Sequence, residues 1–287
     1  MLFVELVAQG LVQGSIYALI ALGLTLVYGL LRILHIAHAA LFTLGGYIGV
    51  ITTNATGSLT LACIMAMVGA GIVGVIIYRL AYEPILNQPP FVALIASIGL
   101  YIAFEEAFRI LFGAAGLTYS SPPLQHYVSV FGVLNFSMAE LVVMASSLAI
   151  IAALGYLQTH TRVGIACQAT VSDPQMAQSF GIRLRTVRDL NFFVGSALAG
   201  FAGVWVALLN NLVEPTMGSV PSYKALAIIV LGGMGSVRGT LLASLVLGVA
   251  ESFGTIYLDQ WLDRNAIAFA LLILVLMFRP QGLFARR

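Results

Sequence analysis

The chain carries very little charge. Only 8% of its 287 residues are Asp, Glu, Lys or Arg, against roughly 25% in soluble domains. A surface so poor in charge does not stay dissolved. A soluble globular protein is therefore excluded, in keeping with a hydrophobic content of 60% and a mean hydropathy of +1.02. Cysteine is nearly absent: Cys63 and Cys167 stand far apart with no Cys-x-x-Cys, which excludes a paired-thiol metal or redox site. There is no Gly-x-x-x-x-Gly-Lys-[Ser/Thr] phosphate loop, so the chain has no equipment of its own for ATP hydrolysis. No Ser/His/Asp or paired-carboxylate pattern marks an enzyme, and no catalytic residue or cofactor is expected. His35 and His38, three apart, have no carboxylate or cysteine companion, which argues against a metal. A net charge of +2 gives no sign of nucleic acid.

What is present is a series of apolar segments, at about residues 6–31, 36–51, 59–78, 91–112, 138–157, 190–212, 223–231, 241–258 and 266–278. They predict an all-α, polytopic membrane protein of one domain, residues 1–287, with about eight or nine crossings. The opening segment lacks a basic n-region and is too long for a signal peptide, so it reads as the first span. Residues 52–58 read as a short polar turn, 87–90 as an extended connector before a proline pair, and 113–137 as a loop. Gly10 and Gly14 are four apart, as are Gly195, Ala199 and Gly203, a spacing that lets helices approach closely in lipid. Several segments are shorter than the ~20 apolar residues of a full span; short, glycine-interrupted helices are common near a transporter's substrate path. The doublets Gly45-Gly46 and Gly232-Gly233 lie in opposite halves and hint at an internal duplication.

One long polar island, residues 158–189, interrupts the apolar pattern. It contains Arg162, Arg183, Arg185 and Arg188 with Asp173 and Asp189. Asp173 suits an N-cap, Pro174 a first helical turn and Gly181 a helix stop, so one short helix is expected there. Its two readings are a docking helix for a partner and an ordinary basic cytoplasmic loop. Placing the island in the cytoplasm puts ten of the 13 Lys and Arg residues on that side, as the positive-inside rule requires. The C-terminus is then inside and the N-terminus outside, provided that the short segment after Pro221 crosses.

Charges inside the spans need partners. Glu105 and Glu106 lie four and three residues before Arg109, so one helix face can pair them; the other reading is a substrate contact. Lys224 and Glu251 either face a water-filled path or, for Lys224, snorkel to the interface. With Tyr17, Tyr28 and His38 they form the candidate path set.

Residues 14–29, Gly-Ser-Ile-Tyr-Ala-Leu-Ile-Ala-Leu-Gly-Leu-Thr-Leu-Val-Tyr-Gly, resemble the opening of LivH-type permeases of branched-chain amino acid ABC importers. So do residues 32–38, Arg-Ile-Leu-His-Ile-Ala-His, where that family usually has Asn-Phe-Ala-His, and the runs 224–236 and 279–284. The resemblance implies a type II-like importer permease in a bacterial inner membrane. Its partners would be a second related permease, two ATP-binding cassette ATPase subunits and a periplasmic substrate-binding protein, and its cargo a branched-chain amino acid moved by alternating access. Urea or short amides are the alternative cargo, and an ion-coupled carrier using Glu105, Glu106 or Glu251 the alternative mechanism; a membrane scaffold fits poorly with broken helices. The family's coupling helix often reads Glu-Ala-Ala-x-x-x-Gly, and Gln175-Met176-Ala177-Gln178-Ser179-Phe180-Gly181 fits that frame. Asp173, Gln175, Met176, Ala177, Gln178, Gly181 and Ile182 thereby become the candidate ATPase-coupling residues. Before them the family tends to have Gly-Arg-Ala-x-Arg, where this chain has Gly164-Ile165-Ala166-Cys167-Gln168. Few span charges are free to grip an amino acid at both ends, so weak substrate binding by this chain alone is expected.

Overall fold

With no water in the hydrocarbon layer, every backbone N–H and C=O must be satisfied within the chain, which favours helices. The computed structural model describes residues 2–130, 134–257 and 263–279. Its helices are α1 (Leu2–Leu31), α2 (His38–Thr56), α3 (Leu59–Ile77), α4 (Pro90–Phe112), α5 (Met138–His160), α6 (Arg162–Ser172), α7 (Pro174–Ser179), α8 (Leu184–Asn210), α9 (Ser219–Gly232), α10 (Val237–Tyr257) and α11 (Arg264–Phe278). A small antiparallel hairpin, β1 (Tyr127–Val130) and β2 (Leu134–Ser137), stands between α4 and α5. Six helices, α1, α3, α4, α5, α8 and α10, are long and apolar enough to cross a membrane on their own. With α2 and the shorter α9 and α11, nine passages result among the described residues, as the apolar segments predict.

Glycine contacts fix the directions. Gly10 of α1 faces Val249 of α10 and Gly14 faces Leu245, so these two helices are antiparallel. Gly45 of α2 meets Gly200 of α8, and Gly49 meets Val204, so this pair is parallel. Gly195 lies on the Gly23 carbonyl and Gly203 on the Phe42 carbonyl. The four-residue stripes seen in the sequence are thus seams: Gly10 and Gly14 face α10, and the stripe from Gly195 to Gly203 is where α8 crosses α1 and α2. At the end of α9, Gly232 packs on Gly239 at the start of α10. The segment after Pro221 therefore runs with α1 and against α10, completing a passage begun by residues 211–218. The start of α1 and the polar island consequently lie on opposite sides. The two glycine doublets do different work: Gly45 is a mid-helix contact, whereas Gly233 ends α9 at φ +93°.

Two helices begin in the interior. The His38 ring lies against Gly23, and His38 Nε2 is 3.2 Å from the Ile20 carbonyl, so α2 starts partway along α1. The buried amide of the N-cap residue Ala37 donates to Ser97 Oγ at 2.9 Å. Helix α9 starts beside it, with the Gly218 amide donating to Thr43 Oγ1 at 3.0 Å. Buried polar side chains here satisfy the amides that helix starts leave open.

Several local expectations need correction. Residues 52–56 belong to α2, because Thr56 bonds back to the Thr52 carbonyl and Gly57 supplies the left-handed stop; only Gly57 and the N-cap Ser58 turn the chain. Helix α3 does not stop at residue 78 but continues as a π-turn, Tyr78–Tyr82, and a 3-10 turn, Glu83–Ile85. The loop 113–137 holds the hairpin and is tied down by Asn54, whose amide donates to the Thr118 carbonyl and accepts from the Ser120 amide. The polar island contains two helices, α6 and α7, and its last six residues already belong to α8. The C-terminal run 280–287 lies outside the described residues.

A side chain at Gly45 would run into the Gly200 backbone, whereas Gly99 on α4 has nothing within 4 Å of its Cβ position. We expect Gly45→Ala to cost about 1–3 kcal/mol through overpacking and Gly99→Ala to be neutral or slightly stabilising. Thermal unfolding of the two variants in detergent checks the ordering.

Candidate functional site

The outer half of the frame holds a buried ion cluster. Helix α10 carries one carboxylate, Glu251, which is fully buried. Three other helices supply its partners. Tyr17 of α1 donates from its hydroxyl to Glu251 Oε2 at 2.7 Å. Lys224 of α9 places Nζ 2.8 Å from Glu251 Oε1, at ion-pair distance but off the hydrogen-bonding direction, and donates to the Tyr17 hydroxyl at 3.0 Å. The ammonium also stands 5.1 Å from the centre of the Tyr17 ring. Arg264, first residue of α11, donates from Nε to Glu251 Oε2 at 3.1 Å. The snorkelling alternative for Lys224 is overturned: its side chain is 4% exposed and turns inward to the carboxylate.

The sequence-predicted path residues are not one surface. Tyr17, Lys224 and Glu251 meet in this cluster, closed to solvent. His38 is also buried, but lies apart at the start of α2, its ring 5.8 Å from that of His35. His35 in turn meets the Tyr82 hydroxyl at 2.7 Å. Tyr28 is half-buried and opens onto a cavity of about 340 Å³ on the island side, lined also by Gly29, Arg32, Val171, Met234 and Gly235. Glu105 and Glu106 are paired with Arg109 at 3.2 and 2.7 Å on the surface of α4, so self-neutralisation is the reading that holds. Among the described residues no three His, Cys, Asp or Glu gather in a way that could hold a metal.

The island stands on the other end of the same frame. Thr161 caps α6 through the Gly164 amide, and Gln168 reaches back to the Gln158 carbonyl at 2.9 Å, folding α6 onto the end of α5. Asp173 then caps α7, its carboxylate accepting from the amides of Gln175 and Met176, both at 3.0 Å. Gly181, at φ +84°, closes α7: its amide donates to the Gln178 carbonyl and that of Ile182 to Ala177, the paired bonds of a glycine helix stop. Ala177 faces inward while Gln175, Gln178, Met176 and Phe180 are exposed, Phe180 at 81%. Burial pushes the Cys167 thiol of α6 above its ordinary range, so it is a poor nucleophile.

Beside this unit, two ion pairs fasten the start of α8 to the extension of α3. Arg79 grips Asp189 through two nitrogens, at 2.7 and 3.1 Å, and Arg185 meets Glu83 at 2.9 Å. Sequence reasoning missed these pairs, which join residues more than a hundred positions apart. It also missed Arg264. Its only signal was a cation opening a short apolar segment, 13 residues after the unexplained Glu251.

A chain of nine packed passages, with a capped helix pair standing clear of one face, is a multi-pass membrane protein by fold. Residues 6–278 match the family described as branched-chain amino acid transport system / permease component, and the chain belongs to that family. It is 32% identical over 298 residues to the high-affinity branched-chain amino acid transport system permease protein LivH of Salmonella typhimurium, covering 99% of this chain and 96% of the relative. It is likewise 32% identical over 299 residues to BraD of Pseudomonas aeruginosa, with the same coverage of each chain. LivM of Escherichia coli K12 is 25% identical over 306 residues, covering 93% of this chain and 67% of LivM. Among solved structures, PsaBC from Streptococcus pneumoniae in complex with Fab shares the fold at a TM-score of 0.51 and 11% identity, covering 95% of this chain and 91% of that one.

The cluster has an internal ranking. Glu251→Gln leaves Lys224 and Arg264 without their carboxylate, and we expect a loss of about 3–5 kcal/mol. Lys224→Met should cost less, because Arg264 still neutralises Glu251, and adding it to Glu251→Gln should recover part of the loss. Thermal unfolding of the three variants measures this; a Lys224→Met loss larger than that of Glu251→Gln contradicts the assignment.

Proposed function

We propose that this chain is the membrane-spanning permease subunit of an ATP-driven importer for branched-chain amino acids in the bacterial inner membrane. The observation that carries the reading is family membership over residues 6–278, joined to a capped helix, α7, that presents Met176, Gln178 and Phe180 away from the membrane frame. The chain catalyses nothing itself. Two ATPase subunits hydrolyse ATP, a periplasmic protein delivers the amino acid, and a second permease completes the path. The likeness to both LivH and LivM, two permease proteins of the same-named system, supports a pair of related permeases.

Asp173, Gln175, Met176, Ala177, Gln178, Gly181 and Ile182 form the ATPase-coupling element in this reading. Its apolar exposed residues suit a protein groove, the usual partner of a short helix that shows one apolar face. ATP-driven closure of the ATPases displaces α7. The displacement passes through α6 to the cavity at Tyr28 and, through Arg79–Asp189 and Arg185–Glu83, to α3. Tyr28 lines the cytoplasmic exit. Tyr17, Lys224 and Glu251 enter the path only when α9 and α11 separate, and His38 reports movement between α1 and α2. Because Lys224 and Glu251 already neutralise each other, an amino acid gains little by replacing either one. Binding by the isolated permease is then weak, on the order of millimolar, about −4 kcal/mol, and selectivity rests with the periplasmic protein.

A photo-crosslinker at Gln178 in the assembled transporter tests the coupling role. Capture of an ATPase subunit is expected. Gly181→Leu forces a side chain into a left-handed conformation that costs about 1–2 kcal/mol; we expect at least a tenfold loss of transport with the membrane frame still folded. A transporting complex in which Gln178 never captures an ATPase contradicts the proposal.

A further inference from the structure

The island's basic residues are not all accounted for by protein contacts. Arg185 is paired with Glu83. Arg162 and Arg183 have no hydrogen-bond or ion-pair partner among the described residues, and both face one groove of about 340 Å³ between the start of α6 and the start of α8. Apolar side chains complete it: Val163, Ile182, Val187 and Leu190. No carboxylate lines it; the nearby acids are already committed, Asp189 to Arg79 and Asp173 to the cap of α7.

Its level in the membrane follows from the exposed side chains. On α5 the last outward apolar residues are Tyr156 and Leu157, at 63% and 52% exposure, followed by Thr159 and His160. On α8 the first is Leu190, at 37%. Arg162 and Arg183 lie within two turns beyond these markers, on the island side. The groove therefore bridges the hydrocarbon edge, where Leu190 sits, and the headgroup layer, where both guanidinium groups sit. Basic pockets between spans at the cytoplasmic face suit anionic lipid headgroups, and arginine forks match phosphate oxygens in geometry as well as charge.

We propose that this groove binds an anionic phospholipid, its phosphate held by Arg162 and Arg183 and the upper part of an acyl chain lying on Val163, Val187 and Leu190. A lipid so placed braces α6 against α8 and ties the unit carrying α7 to the composition of the cytoplasmic leaflet. This site rests on the reading that the island faces the cytoplasm and does not depend on the transported cargo.

Thermal unfolding of the full chain in neutral detergent tests it, with added short-chain phosphatidylglycerol, phosphatidylcholine or inorganic phosphate. Phosphatidylglycerol is expected to raise the midpoint by about 3 °C or more, with no comparable rise from the other two. R162Q/R183Q should lose most of this shift, while R185Q, which disturbs only the pair with Glu83, should keep it. An equal shift with phosphatidylcholine or inorganic phosphate, or a full shift in R162Q/R183Q, overturns the proposal. Should the double variant fail to fold, native mass spectrometry of the wild-type chain decides. Retention of phosphatidylglycerol over equimolar phosphatidylethanolamine supports the site, and equal retention overturns it.

Discussion

A carboxylate shut away from water has to be neutralised where it stands, and Glu251 organises the outer half of this protein for that reason. Its partners arrive on three different helices, as Tyr17, Lys224 and Arg264. Two of those helices are too short to be stable passages alone. At 1.5 Å per residue, the 14 residues of α9 and 15 of α11 reach only about 21–23 Å across a layer of about 30 Å. Lys224 of α9 lies buried in the apolar region, where it would be costly unpaired, and the partly exposed Arg264 opens α11 beside the same carboxylate. Sharing one carboxylate converts two unstable insertions into a single packed unit with α1 and α10.

The remaining frame is held by shape rather than charge. In lipid there is no hydrophobic drive to bring helices together, so close backbone contact has to supply the attraction. Glycines at 10, 14, 23, 45, 195, 200 and 203 remove the side chains that would keep α1, α2, α8 and α10 apart. The island is attached differently: α6 and α7 join this core through the folded turn at Thr161 and through the start of α8, which two ion pairs fasten to the extension of α3. A push on α7 thus has two routes inward: through α6 to Val171 at the rim of the cavity beside Tyr28, and through α8 to its ion pairs with Arg79 and Glu83.

The membrane class, the number of passages, the small-residue seams and the caps of α7 were all legible in the sequence. Each depends on residues close together in the chain: an apolar run, a four-residue spacing, Asp173-Pro174 and Gly181. The extension of α2 through Thr52–Thr56 was hidden because threonines mid-helix can bond back to carbonyls one turn earlier and read as a polar turn. The second island helix was hidden because the buried positions of α6 are Gly164 and Thr170, which make no apolar stripe, and Thr161 and Gln168 anchor it instead. The partnership of Lys224 with Glu251, and Arg264's place beside them, depend on how α9, α10 and α11 pack. No local pattern encodes that, so the sequence could single out both charges without showing that they close on each other.

The central claim is that this chain forms part of the route by which a branched-chain amino acid crosses the membrane at the expense of ATP. Uptake of radiolabelled leucine into proteoliposomes holding the complete complex, with the periplasmic protein outside and ATP inside, tests it most directly. The account predicts accumulation that requires this chain, ATP and the binding protein together. Leucine uptake that continues without this chain, or accumulation driven by an ion gradient with ATP absent, would contradict it.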